Sequence, residues 1–430
     1  MVKKPFFGWG GPKLKYPVIK RDEKDTIRVI PLPQKASILL NRPFSEFNTQ
    51  LIKTGDNVKT GQRIVFKEEG DEYFISTVTG TVANISEYIG YTGRNYTSIF
   101  IEDIREDSWD NSFKNVSDRD LIGNSIRFLR SLPGKPDFGG LINPTNPPNT
   151  IVINGIDEDL LVKTNQLSVI NDPEVLAKGV VYLKEIVNAG RIVILVPPEL
   201  VSDAEKCGAE VKVIDPVYPH ALPKMVMKKV FNRVVPTGKT CEDMGVDFIN
   251  AEAVASLAGA FGKGVMPVNK FVTLIAKDGA TMNLKVRIGT PVKDILNHLN
   301  IITTHGDRLV MGGPMRGKSL YTEDMPVSYD TDAIMIQDRD KIIINADIPC
   351  VNCGECVRAC PAKIPVNMLI RYLENGLYME AAREYDLLSC VECGLCSYVC
   401  VARIPVFHYI MLGKNEIGRQ KSMEAPNALP

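Results

Sequence analysis

At 430 residues the chain is too long for one ordinary hydrophobic core, and roughly two to four domains are expected. Lys+Arg and Asp+Glu balance at 51 each, which excludes a net field that would recruit nucleic acid or an anionic membrane. A hydrophobic fraction of 44% indicates folded domains, and no apolar run of about 18 residues offers a transmembrane helix.

The opening, MVKKPFFGWGGPK, is basic but carries no apolar stretch followed by a small-residue cleavage site. A secretory signal is not expected, and a reducing, cytoplasmic setting follows. Residues 27 to 101 read as short strands: IRVIPL, SILL, LIKTGDNVKTGQRIVFKE and STVTGTVANI, punctuated at Gly55-Asp56-Asn57, Gly61-Gln62 and Gly80. This is the pattern of a small barrel-like sandwich. Lipoyl-type domains share it but carry an exposed lysine at a hairpin tip, where this chain has Val78-Thr79-Gly80-Thr81. No acyl-carrier role is expected.

Residues 112 to 250 mix strands and helices. IVING (151–155), RIVILVPP (191–198) and EVKVIDP (210–216) read as buried strands, with a helix over DPEVLAKGVVYLKEIVNAG between the first two. That βαβ layout predicts a parallel sheet with any ligand at the carboxyl ends of its strands. The loop FGGLINPTN (138–146) is the glycine-bearing candidate, although it lacks the GxGxxG spacing. Residues 264 to 330 form a third unit. FVTLIAKDGATMNLKVRIGT reads as a hairpin, the segment after Pro291 as a short helix, and DRLVMGGPMRGKSL as a strand entering glycine turns. Arg316 and Lys318 stand there as solvated loop charges or as anion contacts. His298 and His305 have no third ligand nearby, and Cys207 and Cys241 read as plain thiols.

The other eight cysteines fall in two runs of pattern C-x2-C-x2-C-x3-C: Cys350, Cys353, Cys356, Cys360 and Cys390, Cys393, Cys396, Cys400. Three thiolates at every third position can wrap one iron–sulfur cubane, and the fourth points away. In two-cluster ferredoxins that fourth cysteine ligates the opposite cluster. Cluster one is therefore expected on Cys350, Cys353, Cys356 and Cys400, and cluster two on Cys390, Cys393, Cys396 and Cys360. Structural zinc uses two separated pairs per ion, a poorer match. Gly354 and Gly394 suit a loop crowded against an inorganic core, and Pro361 follows the first run as the pattern expects, whereas Val401 after the second is a departure. Between the runs, Met368, Leu369, Tyr372 and Leu373 recur at helical spacing. Asn375-Gly376 breaks that helix, and Leu377 to Tyr385 reads as another. Tyr372, Tyr378 and Tyr385 are expected to pack around the clusters.

These motifs, in this order, resemble the RnfC family, the peripheral iron–sulfur subunits of ferredoxin:NAD oxidoreductase electron transport complexes. The resemblance rests on GDNVKTGQRI, TVTGTV, VYPH, VPTGKTCEDMGVDFINAEAVASLAGAF, RIGTPVKDIL, MGGPMRG and LLSCVECGLCSYVC. It implies a multidomain α/β chain: an N-terminal barrel-sandwich hybrid (1–111), a Rossmann-like NADH/FMN-binding-like domain (112–261) and a β-grasp SLBB domain (262–335). A helical two-cluster ferredoxin domain (336–415) and a tail (416–430) complete it. It also implies FMN and NAD(H), carried over onto Gly139, Gly140, Thr145, Asn154, Asp157 and Asp159. The family's Gly-Gly-Ala-Gly-Phe-Pro-Thr becomes Gly139-Gly140-Leu141-Ile142-Asn143-Pro144-Thr145, where Ile142 obstructs close backbone approach to a phosphate. A degenerate flavin site is the expectation, and a divergent branch, like the electron-transfer protein that accompanies proline reductase in amino-acid-fermenting anaerobes. The function implied is a relay of single electrons between protein redox partners (a flavoprotein or ferredoxin), an electron-transfer component rather than a self-sufficient enzyme. Association with a membrane would run through those partners on its cytoplasmic side. An FMN-containing, nicotinamide-exchanging entry subunit and a structural adaptor are the competing readings.

Overall fold

The computed structural model describes residues 12–20, 26–40, 52–65, 73–89, 95–117, 126–129, 131–134, 147–187, 189–342 and 348–424. The chain divides into two compact units. One comprises Pro17–Asp215 and Gly245–Lys341; the other comprises Met1–Tyr16, Pro216–Met244 and Ile342–Pro430. Residues 216–244, in sequence the middle of the α/β segment, thus pack with the cysteine-bearing residues.

In the larger unit the N-terminal residues form an antiparallel sheet in the order Ala36–Leu40, Asn95–Arg105, Thr79–Ile89, Asn57–Val58. A two-stranded ribbon of Arg63–Val65 and Tyr73–Ile75 accompanies it. Thr97, Ile99 and Ile101 are buried while their neighbours are not, the period-two alternation of a sheet with one wet face. The core is aliphatic around one aromatic ring, with Ile38, Val58, Val82, Ile99 and Ile101 beside Phe74. Gly55 and Gly61 take positive φ in the expected turns. At Gly80 a Cβ would come within 2.6 Å of the Glu102 carbonyl, so only glycine fits that strand crossing.

The second layer is a four-stranded parallel sheet in the order Glu210–Val213, Arg191–Val196, Thr150–Asn154, Val246–Asn250. Three of these strands are the expected ones. The fourth, Val246–Asn250, is only five residues long and breaks the alternation with Asp247 and Asn250, and its sequence alone gives no strand signal. Helices Thr164–Asn171, Pro173–Ile186 and Ala251–Lys263 cover the sheet. Asp172 caps the second of these through the Val175 N–H at 3.0 Å, with Pro173 in the first turn. Gly179 lets that helix meet Ala251–Lys263 backbone to backbone: an added Cβ would lie 2.1 Å from the Val254 carbonyl.

A third, mixed sheet runs Arg28–Val29, Thr281–Arg287, Asn269–Ile275, Ala333–Gln337, Arg308–Met311, Lys318–Ser319. It includes the expected hairpin, paired from Asn269↔Arg287 to Ile275↔Thr281, and packs the helix Val292–His298 onto it through Val292, Ile295 and Leu296. Lys270, with no exposed side-chain surface, is held between Glu252 and Asp332. Lys270 and Glu252 are buried, and leaving either charge alone would be costly.

The smaller unit is helical around the cysteines. Glu355–Ala359 lies within the first run and Val366–Glu374 follows it; Leu395–Tyr398 lies within the second and Val406–Glu424 follows it. Tyr378–Glu384 lies between, after the break at Gly376 (φ 71°). Val406, Ile410 and Ile417 are buried along the last helix. That apolar stripe carries the helix to Glu424, past residue 416, where the sequence suggested a tail. Among the described residues no helix is long and apolar enough to cross a membrane.

Candidate metal centre

The two cysteine runs fold to one template, repeated every 40 residues (350 + 40 = 390). In the first run Asn352, Gly354 and Lys363 take φ of 52°, 76° and 59°; 40 residues later Glu392, Gly394 and Arg403 take 58°, 70° and 56°. Four of these six residues are not glycine, and a side chain in the left-handed region costs about 1 kcal/mol or more each. The same strain at matching positions in both loops marks a backbone shaped for a purpose. Left-handed residues in such a loop can turn backbone N–H groups toward one point, a concavity suited to negative charge. The Glu392 N–H reaches the Cys390 sulfur and the Ile404 N–H the Cys400 sulfur, each at 3.4 Å. Gly354 and Gly394 take two of these left-handed positions, where glycine carries no steric cost.

Burial sorts the thiols into two fours. Cys350, Cys353, Cys356 and Cys400 are half-buried; Cys390, Cys393, Cys396 and Cys360 are buried. The fourth cysteine of each run thus shares the environment of the other run. Electrostatics follows this grouping in part, with Cys356 also acting on Cys396 across the two sets. The Cys356 thiol is pushed up to about 11, first by burial and then by Cys350, Cys353 and Cys400, which would repel its thiolate. The Cys393 thiol is pushed up to about 12, mainly by burial, with Cys390 and Cys360 adding to it. Cys390 and Cys396 are raised as well, again by burial first. Burial opposes ionisation of Cys356, Cys390, Cys393 and Cys396, and a cationic core would reverse that, because coordination removes the proton outright. Among the described residues no three of His, Cys, Asp and Glu converge closely enough for a single metal ion.

The second run is enclosed and the first is open. The buried Tyr218 hydroxyl donates to the Cys393 carbonyl at 2.5 Å, and its ring packs 5.4 Å from Tyr16. Lys224 Nζ donates to the Leu388 carbonyl at 2.9 Å, and Lys414 Nζ to the Cys390 carbonyl at 2.9 Å and the Glu392 carboxylate at 2.7 Å. Thr237 and Ser389 share a hydroxyl hydrogen bond of 2.7 Å. At the first run Val351 is 58% exposed, and Val401, beside Cys400, is 52% exposed. Tyr372, Tyr378 and Tyr385 pack against the apolar core around the cysteines, the first and last with hydroxyls 3.3 Å apart.

A second candidate lies in the larger unit, at the carboxyl ends of Thr150–Asn154 and Val246–Asn250. The order of the parallel sheet reverses between these two strands, the place where such sheets bind ligands. A cavity of about 330 Å³ opens there, lined by Asp157, Glu158, Asn165, Asn250, Arg316 and Asp332 among others. Gly139, Gly140 and Thr145 lie outside the described residues. Asp159 is spent on structure: its carboxylate accepts the N–H groups of Leu160 at 2.7 Å, Met315 at 3.1 Å and Arg316 at 2.8 Å. It moulds the turn at Gly313, where a Cβ would lie 2.5 Å from the carboxylate carbon. The Arg316 guanidinium pairs with Glu158. Asp157 accepts the Thr164 hydroxyl at 2.8 Å and the Asn165 N–H at 2.9 Å through Oδ1. Its Oδ2, with Oδ1 of Asn154 and of Asn165, is buried without a partner. Burial pushes the Asp157 carboxyl up to about 6. The sequence did not reveal Asn165 or Asn250, because nothing local places them at a strand end.

Two families match the chain: a 4Fe-4S dicluster domain over residues 341–401 and the RnfC barrel sandwich hybrid domain over residues 14–106. Among curated relatives, the C subunit of the proton-translocating ferredoxin:NAD(+) oxidoreductase complex of Clostridium ljungdahlii is 26% identical over 390 residues, 84% of each chain. The C subunit of the ion-translocating oxidoreductase complex of Erwinia tasmaniensis is 27% identical over 84% of this chain and 47% of that protein. The chain therefore spans about half the length of that relative. The C subunit of the Na(+)-translocating ferredoxin:NAD(+) oxidoreductase complex of Acetobacterium woodii is 25% identical over 77% of this chain and 79% of that one. The N-terminal sheets are a barrel-sandwich hybrid and the repeated cysteine loops a two-cluster iron–sulfur domain. By these matches and by the order of its domains, the chain resembles the RnfC family of ion-translocating oxidoreductase complexes.

Proposed function

We propose that the chain is an electron-transfer subunit of an oxidoreductase complex, passing single electrons between protein redox partners by way of two [4Fe-4S] clusters. The observation that carries this is the division of eight thiols into a half-buried four and a buried four, each completed by a cysteine from the opposite run. Cys350, Cys353, Cys356 and Cys400 would hold one cluster, and Cys390, Cys393, Cys396 and Cys360 the other. A four-iron core takes four thiolates, the number that each of these sets supplies. When bound, such clusters supply one-electron redox capacity. The chain's own residues hold the sulfurs, aim backbone N–H groups at them, and keep water from the second set with Tyr218 and its neighbours. Partners are read as proteins, a flavoprotein or ferredoxin and further subunits, with no nucleic acid. We place the chain in the cytoplasm, with any membrane contact made through partners; the relatives are subunits of ion-translocating complexes.

We read the parallel sheet as a Rossmann-like domain and the mixed sheet with its helix as a β-grasp SLBB domain, on strand order and on the helix packed against the hairpin. The described part of the switch-point cavity is dominated by carboxylates that repel a flavin phosphate, Asp157, Glu158, Asp159, Asp330 and Asp332; its arginine is paired with Glu158, and Lys318 is its other cation. The residues there do not fit FMN, and no hydride chemistry is assigned to them.

The test is an anaerobic count of iron, sulfide and acid-released flavin on the reconstituted chain, with EPR of the reduced protein. About eight irons per chain, spin-coupled cubane signals and no flavin are expected. Fewer than about six irons, or zinc in their place, would overturn the reading.

A further inference from the structure

We propose that Lys224 and Lys414 raise the reduction potential of the cluster held by the second cysteine run, and of that cluster alone. The inference rests on the reading that eight thiols hold two clusters. Reduction adds one negative charge to an already anionic cluster and its thiolates, and burial opposes that charge. Cations fixed nearby in a poorly solvated site favour it. The second thiol set is the buried one, so it carries the greater penalty, and two ammonium groups stand against its loop. Lys414 Nζ holds the carbonyl of a ligand residue, Cys390, at 2.9 Å. Lys224 Nζ holds the Leu388 carbonyl, two residues before that ligand. The two lysines, Glu392 and Cys390 lie within electrostatic reach of one another.

The 40-residue repeat supplies an internal control. The position matching Lys414 in the first half is Glu374, exposed and of opposite charge; the position matching Glu392 is Asn352. Lys224 has no counterpart, because it arrives on residues 216–244, which pack only once with the repeat. The first run does have a cation, Arg358, bonded to the Cys353 carbonyl at 2.9 Å. Its side chain is 54% exposed and paired with Glu355, whereas the Lys414 side chain is 15% exposed. Solvent screens the first charge far more than the second. The local sum at the second loop is two cations and one anion, Glu392.

Each couple takes one electron from the titrant and needs no proton or leaving group. The experiment is an EPR-monitored dithionite titration of the full chain with both clusters reconstituted, comparing Lys224→Met, Lys414→Met, Lys224→Arg and Glu392→Gln. In each Met variant one midpoint should fall by about a tenfold change in the one-electron equilibrium, about 59 mV, while the other stays. Lys224→Arg should keep it, and Glu392→Gln should move it upward. The same shift in a Cys400→Ser background, which leaves only the second cluster, assigns the moving midpoint. If both midpoints move together, or neither moves while the chain carries about eight irons, the inference is overturned. Wild-type chain with far fewer irons would overturn the two-cluster reading instead. Should a Met variant lose a cluster, the opposite sign expected of Glu392→Gln still decides the matter.

Discussion

In the cysteine unit, two loops of different sequence, VNCGEC and VECGLC, bend their backbones to the same angles within about 6° at all three left-handed positions. At the end of the parallel sheet the carboxylates are treated differently from one another. Asp159 spends its oxygens on three backbone N–H groups, while Asp157, two residues earlier, leaves one oxygen unpaired in the interior. The difference teaches how to tell a site kept under geometric demand from one drifting toward scaffold. Where a cofactor dictates positions, unlike residues accept identical strain. Where it does not, side chains settle into local structural bonds or are left over.

The sharpest break of this comparison is a ligand swap. Cys400→Ser should abolish the half-buried cluster that the first run otherwise holds, and Cys360→Ser the buried one. Each should take the iron count from about eight to about four, with EPR identifying which signal is lost. Loss of the cluster belonging to the mutated residue's own run would break the crossed arrangement. The next effect is structural. Asp159→Ala orphans three N–H groups around the Gly313 turn and should cost about 3 kcal/mol in a denaturant melt while leaving the iron count unchanged. A fall of less than about 0.5 kcal/mol would mean that the carboxylate is not the keystone of that turn.

The smallest effect concerns Asp157. Its native carboxyl is raised from an ordinary 3.8 to about 6, first by burial, so the folded chain binds that proton more tightly than the unfolded one. Its contribution is most favourable below the unfolded value and is lost as pH rises through about 6. Asp157→Asn keeps an oxygen for Thr164 and Asn165 and removes the buried charge. It should raise stability at pH 8 by about 1–2 kcal/mol and change it little at pH 4. Equal shifts at both pH values would show that the charge is not what costs stability there.

Much of this was legible in the chain. Ligand spacing is local, so three cysteines at every third residue announce a cubane before any fold is known, and helix and strand periodicities placed most elements to within a few residues. The switch-point pocket was harder to read. Asp159 looked like a cofactor contact, and its commitment to Met315 and Arg316 spans 156 and 157 residues of chain. Arg316 looked solvated and is paired with Glu158. Val246–Asn250 gave no strand signal, yet its in-register pairing with Thr150–Asn154 builds the crevice.

By itself, the sequence determined that eight thiolates are present in two groups able to hold iron and sulfur, because the number and spacing of ligands belong to the chain. Only the tertiary structure decided that residues 216–244 wrap the second group and leave the first open. The Tyr218–Cys393 bond joins residues 175 apart, and such contacts are set by which apolar surfaces find each other on folding. The same long-range packing put two lysines beside one thiol set and an exposed valine beside the other, so that two nearly identical loops sit in unlike electrostatic surroundings.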